Sequence, residues 1–316
     1  MLFRYILLST FLAASSLGLV KPAQAAGFPE KNITFIIPYT TGGGFDRAVR
    51  MIIPYMEKYL PNKVNVVPKN IPGAGGRKGM ATLYKAKPDG YTISVFNIPG
   101  AAIPPITGTK VNYDLSKVTW LTRLAIGEYM LGVAAKSNIK SLDDLKKMNS
   151  VKFPQTGPGS TASVVTRIAA SVMKLNAKHL TGYKGSKQYM LGVVRGDGDA
   201  AFGLVTSFGK FVQSGDIRAI MTFGKKSSMK GVPTAREAGY PEFETLALER
   251  LVGGPPGIPA DVVKILSDAM VKAMNDPELK EKAKKRPFAP LGAGETGDRI
   301  GKTLAFYLKF KSILSQ

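Results

Sequence analysis

The sequence predicts an α/β chain of two lobes, each a mainly parallel sheet flanked by helices. Three observations lead there. Short apolar runs alternate with helix-period segments, glycine-rich loops join the two, and about 290 residues follow a leader-like N-terminus. That length suits two lobes better than one core, because single cores stop growing near about 250–300 residues.

The elements follow in order. Ile33–Pro38 (ITFIIP) is a β-branched run and reads as a buried strand. After the loop, residues 46–60 carry Ala48, Val49, Ile52, Ile53, Met56 and Leu60 at helical spacing, with Pro54 as a possible kink. A strand at 64–67, a loop at 71–76 and a helix at 79–85 come next. Asp89-Gly90 makes a turn before a strand at 91–96. Strand, loop and helix in repetition imply parallel strands with helical crossovers. Further strands are read at 131–135, 151–153, 200–204 and 217–222. Helices are read from the Ser141 cap, at 162–175, 189–195, 259–275 and 278–284, and finally at 297–313. In such sheets ligands bind at the carboxyl ends of the strands, where the glycine loops lie.

The first residues read as an export signal. Arg4 precedes an apolar or small stretch from Tyr5 to Val20, and Ala23-Gln24-Ala25 places the cut after Ala25. The run is too short and too rich in Ser and Ala for a membrane anchor. The chain contains no cysteine, which excludes disulfides, thiol chemistry and a lipid-anchored cysteine.

Charge is the outlying property. Lys+Arg is 44 against 22 Asp+Glu, a formal +22, and cleavage of the leader with Arg4 and Lys21 leaves +20. The basic residues are dispersed, the densest run being Lys280–Arg286, and no nucleic-acid recognition motif accompanies them. A solvated surface that attracts anions is expected, with no nucleic-acid partner.

Pro38-Tyr39-Thr40-Thr41-Gly42-Gly43-Gly44-Phe45-Asp46 joins a strand to a helix. Its glycines permit positive φ and close approach of backbone to ligand. The helix start adds unpaired amides and partial positive charge, which suits a carboxylate or phosphate. The same residues could make a plain tight turn with Asp46 as helix N-cap. Residues 155–161, 183–186 and 97–100 are similar polar or glycine-rich stretches that suit a ligand.

Other chemistries fail on spacing. Gly73-Ala74-Gly75-Gly76 misses the dinucleotide fingerprint, and Gly301-Lys302-Thr303 has Thr296 where a Walker motif needs Gly. No cofactor is expected. His179 is the one histidine, so a metal cluster or Ser-His pair has a single candidate. Ser-x-x-Lys begins at Ser137, Ser171, Ser207 and Ser227, a chance rate in a lysine-rich chain.

Taken together, Ile33–Asp46, Asn70–Gly79 (NIPGAGGRKG), Pro88–Tyr91 (PDGY), Tyr183–Ser186 (YKGS), Gly196–Asp199, Val232–Tyr240 and Pro255–Val263 resemble the tripartite tricarboxylate transporter receptors, also called Bug or TctC-type proteins. The resemblance implies a periplasmic, monomeric, type II-like flytrap that binds a small organic carboxylate without catalysis. It also implies delivery to a membrane permease of one large and one small subunit. A ligand sensor is the alternative, with a secreted serine hydrolase as a remoter one. By position, the implied site takes Tyr39, Thr41, Gly42, Gly43, Gly44, Phe45, Asp46, Asn97 and Gly100. From the other lobe it takes Gly159, Ser160, Thr161, Gly185, Ser186 and Thr206. Asp46 would cap its helix and could pair with a cationic group on a ligand. Lobe 1 is expected to span 26–126 plus 251–316, and lobe 2 to span 127–250, with a hinge near Ile126 and Arg250. The chain departs from the family at Thr40 and Thr41, at Pro158, and at Phe45 beside Asp46. Phe45 could narrow the pocket or stack on an aromatic ligand.

Overall fold

The computed structural model describes residues 27–157, 160–284 and 286–315. The leader reading with its cut after Ala25, and the expected site residue Gly159 beside Pro158, lie outside these. The strands are β1 (Ile33–Ile37), β2 (Val66–Asn70), β3 (Thr92–Ile98), β4 (Thr119–Gly127), β5 (Tyr129–Ala134), β6 (Val151–Pro154), β7 (Ala177–Leu180), β8 (Ala200–Leu204), β9 (Ile217–Thr222) and β10 (Leu248–Gly254). The first helices are α1 (Gly44–Tyr59), α2 (Arg77–Tyr84), α3 (Ile103–Ile106) and α4 (Leu142–Lys146). Then follow α5 (Thr161–Val172), α6 (Ser186–Arg195), α7 (Val205–Gln213), α8 (Ala260–Asn275), α9 (Pro277–Lys282), α10 (Ala293–Leu308) and α11 (Lys311–Leu314).

One sheet has the order β2-β1-β3-β10-β4. Strands β2, β1 and β3 run parallel, joined by crossovers that contain α1 and α2. Alternation in β1 sends Ile33, Phe35 and Ile37 to the face covered by α1 and α8, where Ile52, Met56, Leu266 and Met270 are buried. Ile36 points to the opposite face, with Met80, Leu83 and Tyr307. Each fully buried side chain of this kind contributes roughly 1.5–3 kcal/mol. Pro54 sits on the exposed side of α1, which runs through it as one element.

The other lobe holds a β8-β5-β9 sheet and a parallel β6-β7 pair. Its β5 is antiparallel to both neighbours. In the first sheet β10 is antiparallel to β3 and β4. The expectation of mainly parallel sheets therefore holds only for β1–β3 and β6–β7. The reason is connectivity: a parallel neighbour needs a crossover element to carry the chain back. Strand β10 enters the first sheet after the chain has passed through the second.

Strands β4 and β10 have no counterpart among the periodic runs in the sequence. Thr119–Gly127 mixes Thr and Arg into its apolar positions, and Leu248–Gly254 carries Glu249, Arg250 and two glycines. Their strand state is fixed by pairing with each other and with β3. Only Glu128 separates β4 from β5, so the passage between sheets is short. At the far end of the chain, α11 lies against α5, so the last residues reach across to the second lobe's helices.

Candidate functional site

The first glycine loop enters α1 at Gly43, the N-cap residue, and Gly42 has φ +77°. Asp46 is therefore not the N-cap. The glycines let the helix begin earlier, which puts Asp46 in the first turn, where its carboxylate reaches back as in a capping box. It is 2% exposed and accepts from the Gly42 amide at 2.8 Å, Arg50 Nε at 2.8 Å and Asn70 Nδ2 at 2.9 Å. Burial alone would raise this carboxyl. The bonds from Gly42, Asn70 and Arg50 outweigh it and hold the group below the usual carboxylate range. Asp46 is thus an organiser of the loop rather than an open partner for a ligand cation.

Two of the loop amides are also engaged internally. Gly42 N–H goes to Asp46, and Gly43 N–H points at the Thr40 carbonyl at 3.4 Å. Helix geometry leaves the amides of Gly44 and Phe45 without intrahelical acceptors, at the positive end of a 16-residue helix. Thr41 is exposed at the loop tip.

Behind this helix start, five of the expected residues converge. The Tyr39 and Phe45 rings lie 4.5 Å apart. The Tyr39 phenol approaches the Asn97 side chain, and burial pushes its ionisation well up, so it stays neutral. A Cβ on Gly100 would fall 2.8 Å from Asn97 Nδ2, so glycine is what allows Asn97 its position. Gly44 completes the group. A Cβ added to Gly76, at φ +97°, would sit 3.0 Å from the Tyr39 hydroxyl. The Asn70–Gly79 motif thereby shapes the loop from behind.

Arg250, read from the sequence only as a hinge position, joins this cluster. On β10 it pairs in register with Asn97 of β3. Its guanidinium carbon is 4.8 Å from the Phe45 ring centroid, and Nη2 lies 3.6 Å from where a Cβ on Gly44 would be. Nε is buried with no acceptor, and Arg250 forms no salt bridge among the described residues. Glu249 is turned away: its carboxylate meets Arg299 at 2.8 Å and Arg123 at 3.5 Å. Successive strand residues point to opposite faces. The available signal was a charged pair, Glu249-Arg250, inside a mainly apolar stretch before Pro255.

In the second lobe, Ser160, Gly185 and Leu204 are the N-caps of α5, α6 and α7. Ser160 Oγ accepts from the Ser163 amide at 3.2 Å. Thr161, Ser186 and Thr206 stand in the first turns of these helices. Parallel pairing of β6 with β7 sets the first two helix starts side by side. Ala162, Tyr183 and Val205 pack on one apolar cluster, which brings in the third. Gln155, one residue past β6, is 1% exposed and neither its carboxamide oxygen nor its nitrogen has a partner.

The other chemistries fare as follows. His179 lies in β7, with its ionisation lowered by burial and by Arg167. Among the described residues no group of three or more His, Asp or Glu is placed to hold a metal. The hydroxyls of Ser137 and Ser227 donate to the carbonyls of Ala134 and Met229. A cavity of about 810 Å³ opens around Arg123 and Arg299, but none of the expected site residues lines it, and Glu128, Glu244, Glu295 and Asp298 balance its cations. No described helix is long and apolar enough to cross a membrane.

Known proteins resemble this chain in sequence and in fold. A profile described as tripartite tricarboxylate transporter family receptor matches residues 49–296. A UPF0065 protein in the gbd 5′ region of Cupriavidus necator is 30% identical over 289 residues, covering 88% of this chain and 86% of that one. Among solved structures, a ligand-free TctC solute-binding protein from Polaromonas superposes with TM-score 0.80 at 21% identity, over 90% of this chain and 99% of that one. MatC from Rhodopseudomonas palustris with bound malate superposes with TM-score 0.69 at 19% identity, over 91% and 100%.

Proposed function

The chain belongs to the tripartite tricarboxylate transporter receptor family, and on that footing we propose that it is a periplasmic receptor that reversibly captures a small organic carboxylate. It makes and breaks no bond. It passes its ligand to a membrane permease of one large and one small subunit, and acts as an exported monomer after cleavage behind Ala25. The neighbour bound to malate supports a carboxylate as the ligand class.

One observation carries this reading: the open amides at the start of α1 lie beside the Arg250 guanidinium, which has no internal counter-ion among the described residues. A dipole end and a guanidinium at one point favour an anion and disfavour a neutral or cationic solute. The site we assign comprises Tyr39, Thr41, Gly44, Phe45, Asn97 and Gly100 on lobe 1. Ser160, Thr161, Gly185, Ser186 and Thr206 grip from lobe 2. Residues 26–126 and 251–316 form one lobe and 127–250 the other, and they close about the passages near Ile126 and Arg250.

The test is a calorimetric and thermal-shift screen of the mature chain against aliphatic and aromatic organic acids. Binding of at least one acid with a rise in unfolding temperature is expected. Well-folded protein that binds none of them would sink the proposal. Co-purification with the two permease subunits tests delivery separately.

A further inference from the structure

We propose that Arg250 is the charge-reading residue of this pocket, taking the ligand's carboxylate directly beside the α1 amides, with Phe45 as its positioning residue. The proposal rests on the carboxylate-receptor reading and adds to it a side chain that no motif marks.

The arginine is unusual in what surrounds it. The titratable groups facing it are Tyr39, Tyr129 and Arg286, of which two are neutral phenols and one a second cation. Its sequence neighbour Glu249 is committed to Arg123 and Arg299 on the far side of β10. Burial, reinforced by Arg286, disfavours the charged form relative to an ordinary arginine. Arg250 is half-buried, and a cation drawn out of water is normally paired with a counter-charge. Here the internal counter-charge is missing, the positive end of α1 lies alongside Nη2, and Nε lies buried with no acceptor. The charge balance closes when an external anion enters.

The geometry suits a carboxylate in particular. A guanidinium offers a planar fork of donors that matches two carboxylate oxygens. The Phe45 ring, 4.8 Å from the guanidinium carbon, sets the plane of that fork by cation–π contact. Tyr39 supports the same ring at 4.5 Å. Phe45 therefore has two partners already, Arg250 and Tyr39, so its ring is engaged without an aromatic ligand. Nη2 stands next to Gly44, so one carboxylate can meet the fork and the Gly44 or Phe45 amide together.

The experiment uses the mature chain and its Arg250→Gln, Arg250→Lys and Phe45→Ala variants, titrated calorimetrically with malate and a panel of four- to six-carbon dicarboxylates. The best-bound acid is then compared with its primary amide. Loss of a charge-assisted hydrogen bond predicts that Arg250→Gln weakens binding roughly 10- to 150-fold and that acid-over-amide preference collapses with it. Arg250→Lys and Phe45→Ala should fall between. Without ligand, Arg250→Gln should unfold at the same or a higher temperature, since it removes an unpaired charge; a large drop would mean the arginine is structural and would overturn the proposal. So would an Arg250→Gln variant that binds within about threefold of the parent chain. If the parent binds no acid at all, the receptor reading fails and this proposal falls with it.

Discussion

Asn70 Nδ2 donates to the Asp46 carboxylate and to the Tyr39 carbonyl, each at 2.9 Å, and so ties the Asn70–Gly79 motif to the glycine loop before α1. Two stretches read separately in the sequence are one structure: the second holds the shape of the first. Asn70→Ala should leave the Tyr39 carbonyl and one Asp46 oxygen without this donor. A loss of about 1–2 kcal/mol is expected, seen as a fall of roughly 2–8 °C in unfolding temperature. An unchanged melt would show that the tie carries no stability.

Asp46 gives the same network a pH signature. Its folded carboxyl lies below the usual range, whereas the unfolded value is about 3.9. A depressed acid contributes stability that is fully present above the unfolded value and is lost as pH falls through the folded one. The stability difference between the parent chain and Asp46→Asn should thus be constant above about pH 5 and shrink below about pH 4. Denaturant titrations at stepped pH measure it, and a difference that grows on acidification would refute the assignment.

Gly100 separates binding from folding. A Cβ there meets Asn97 Nδ2 at 2.8 Å, but the backbone does not require positive φ. Gly100→Ala should push Asn97 aside and weaken ligand binding about fivefold, the worth of one neutral hydrogen bond, with little change in the melt. Gly76→Ala should do both, since its φ of +97° is strained for alanine and its Cβ would crowd the Tyr39 hydroxyl.

Glu249 is the structural counterpart of Arg250. Its carboxylate, 1% exposed, sits between Arg299 and Arg123 on β10. Glu249→Ala leaves two arginines facing each other. A destabilisation of about 3–5 kcal/mol is expected from chemical denaturation. A mild effect, under about 1 kcal/mol, would mean that solvent screens the pair.

The formal +22 charge makes a kinetic prediction. Long-range attraction of an anionic ligand is screened beyond roughly 8–10 Å at physiological ionic strength. Stopped-flow association rates should fall steeply as salt rises, while dissociation changes little. Association that is indifferent to salt would leave the charge without a role in capture.

Residue periodicity alone was enough to read β1, α1, α5, β8, β9 and α8, because their apolar residues repeat at the period of the element that buries them. The glycine loop and the helix starts at Ser160 and Gly185 were legible for the same local reason: capping and tight turns use few residue types. The wiring among them was not. Strands β4 and β10 are strands by virtue of their neighbours, and their mixed residues follow from having unlike surroundings on the two faces. Asp46 looked like an N-cap until three donors from separate positions converged on it. Arg250 was read from the sequence only as a hinge position, not as part of the site. Its significance lies in which partners it lacks, and whether a charge is paired depends on contacts between residues as far apart as Phe45 and strand β10, which only the tertiary fold brings together.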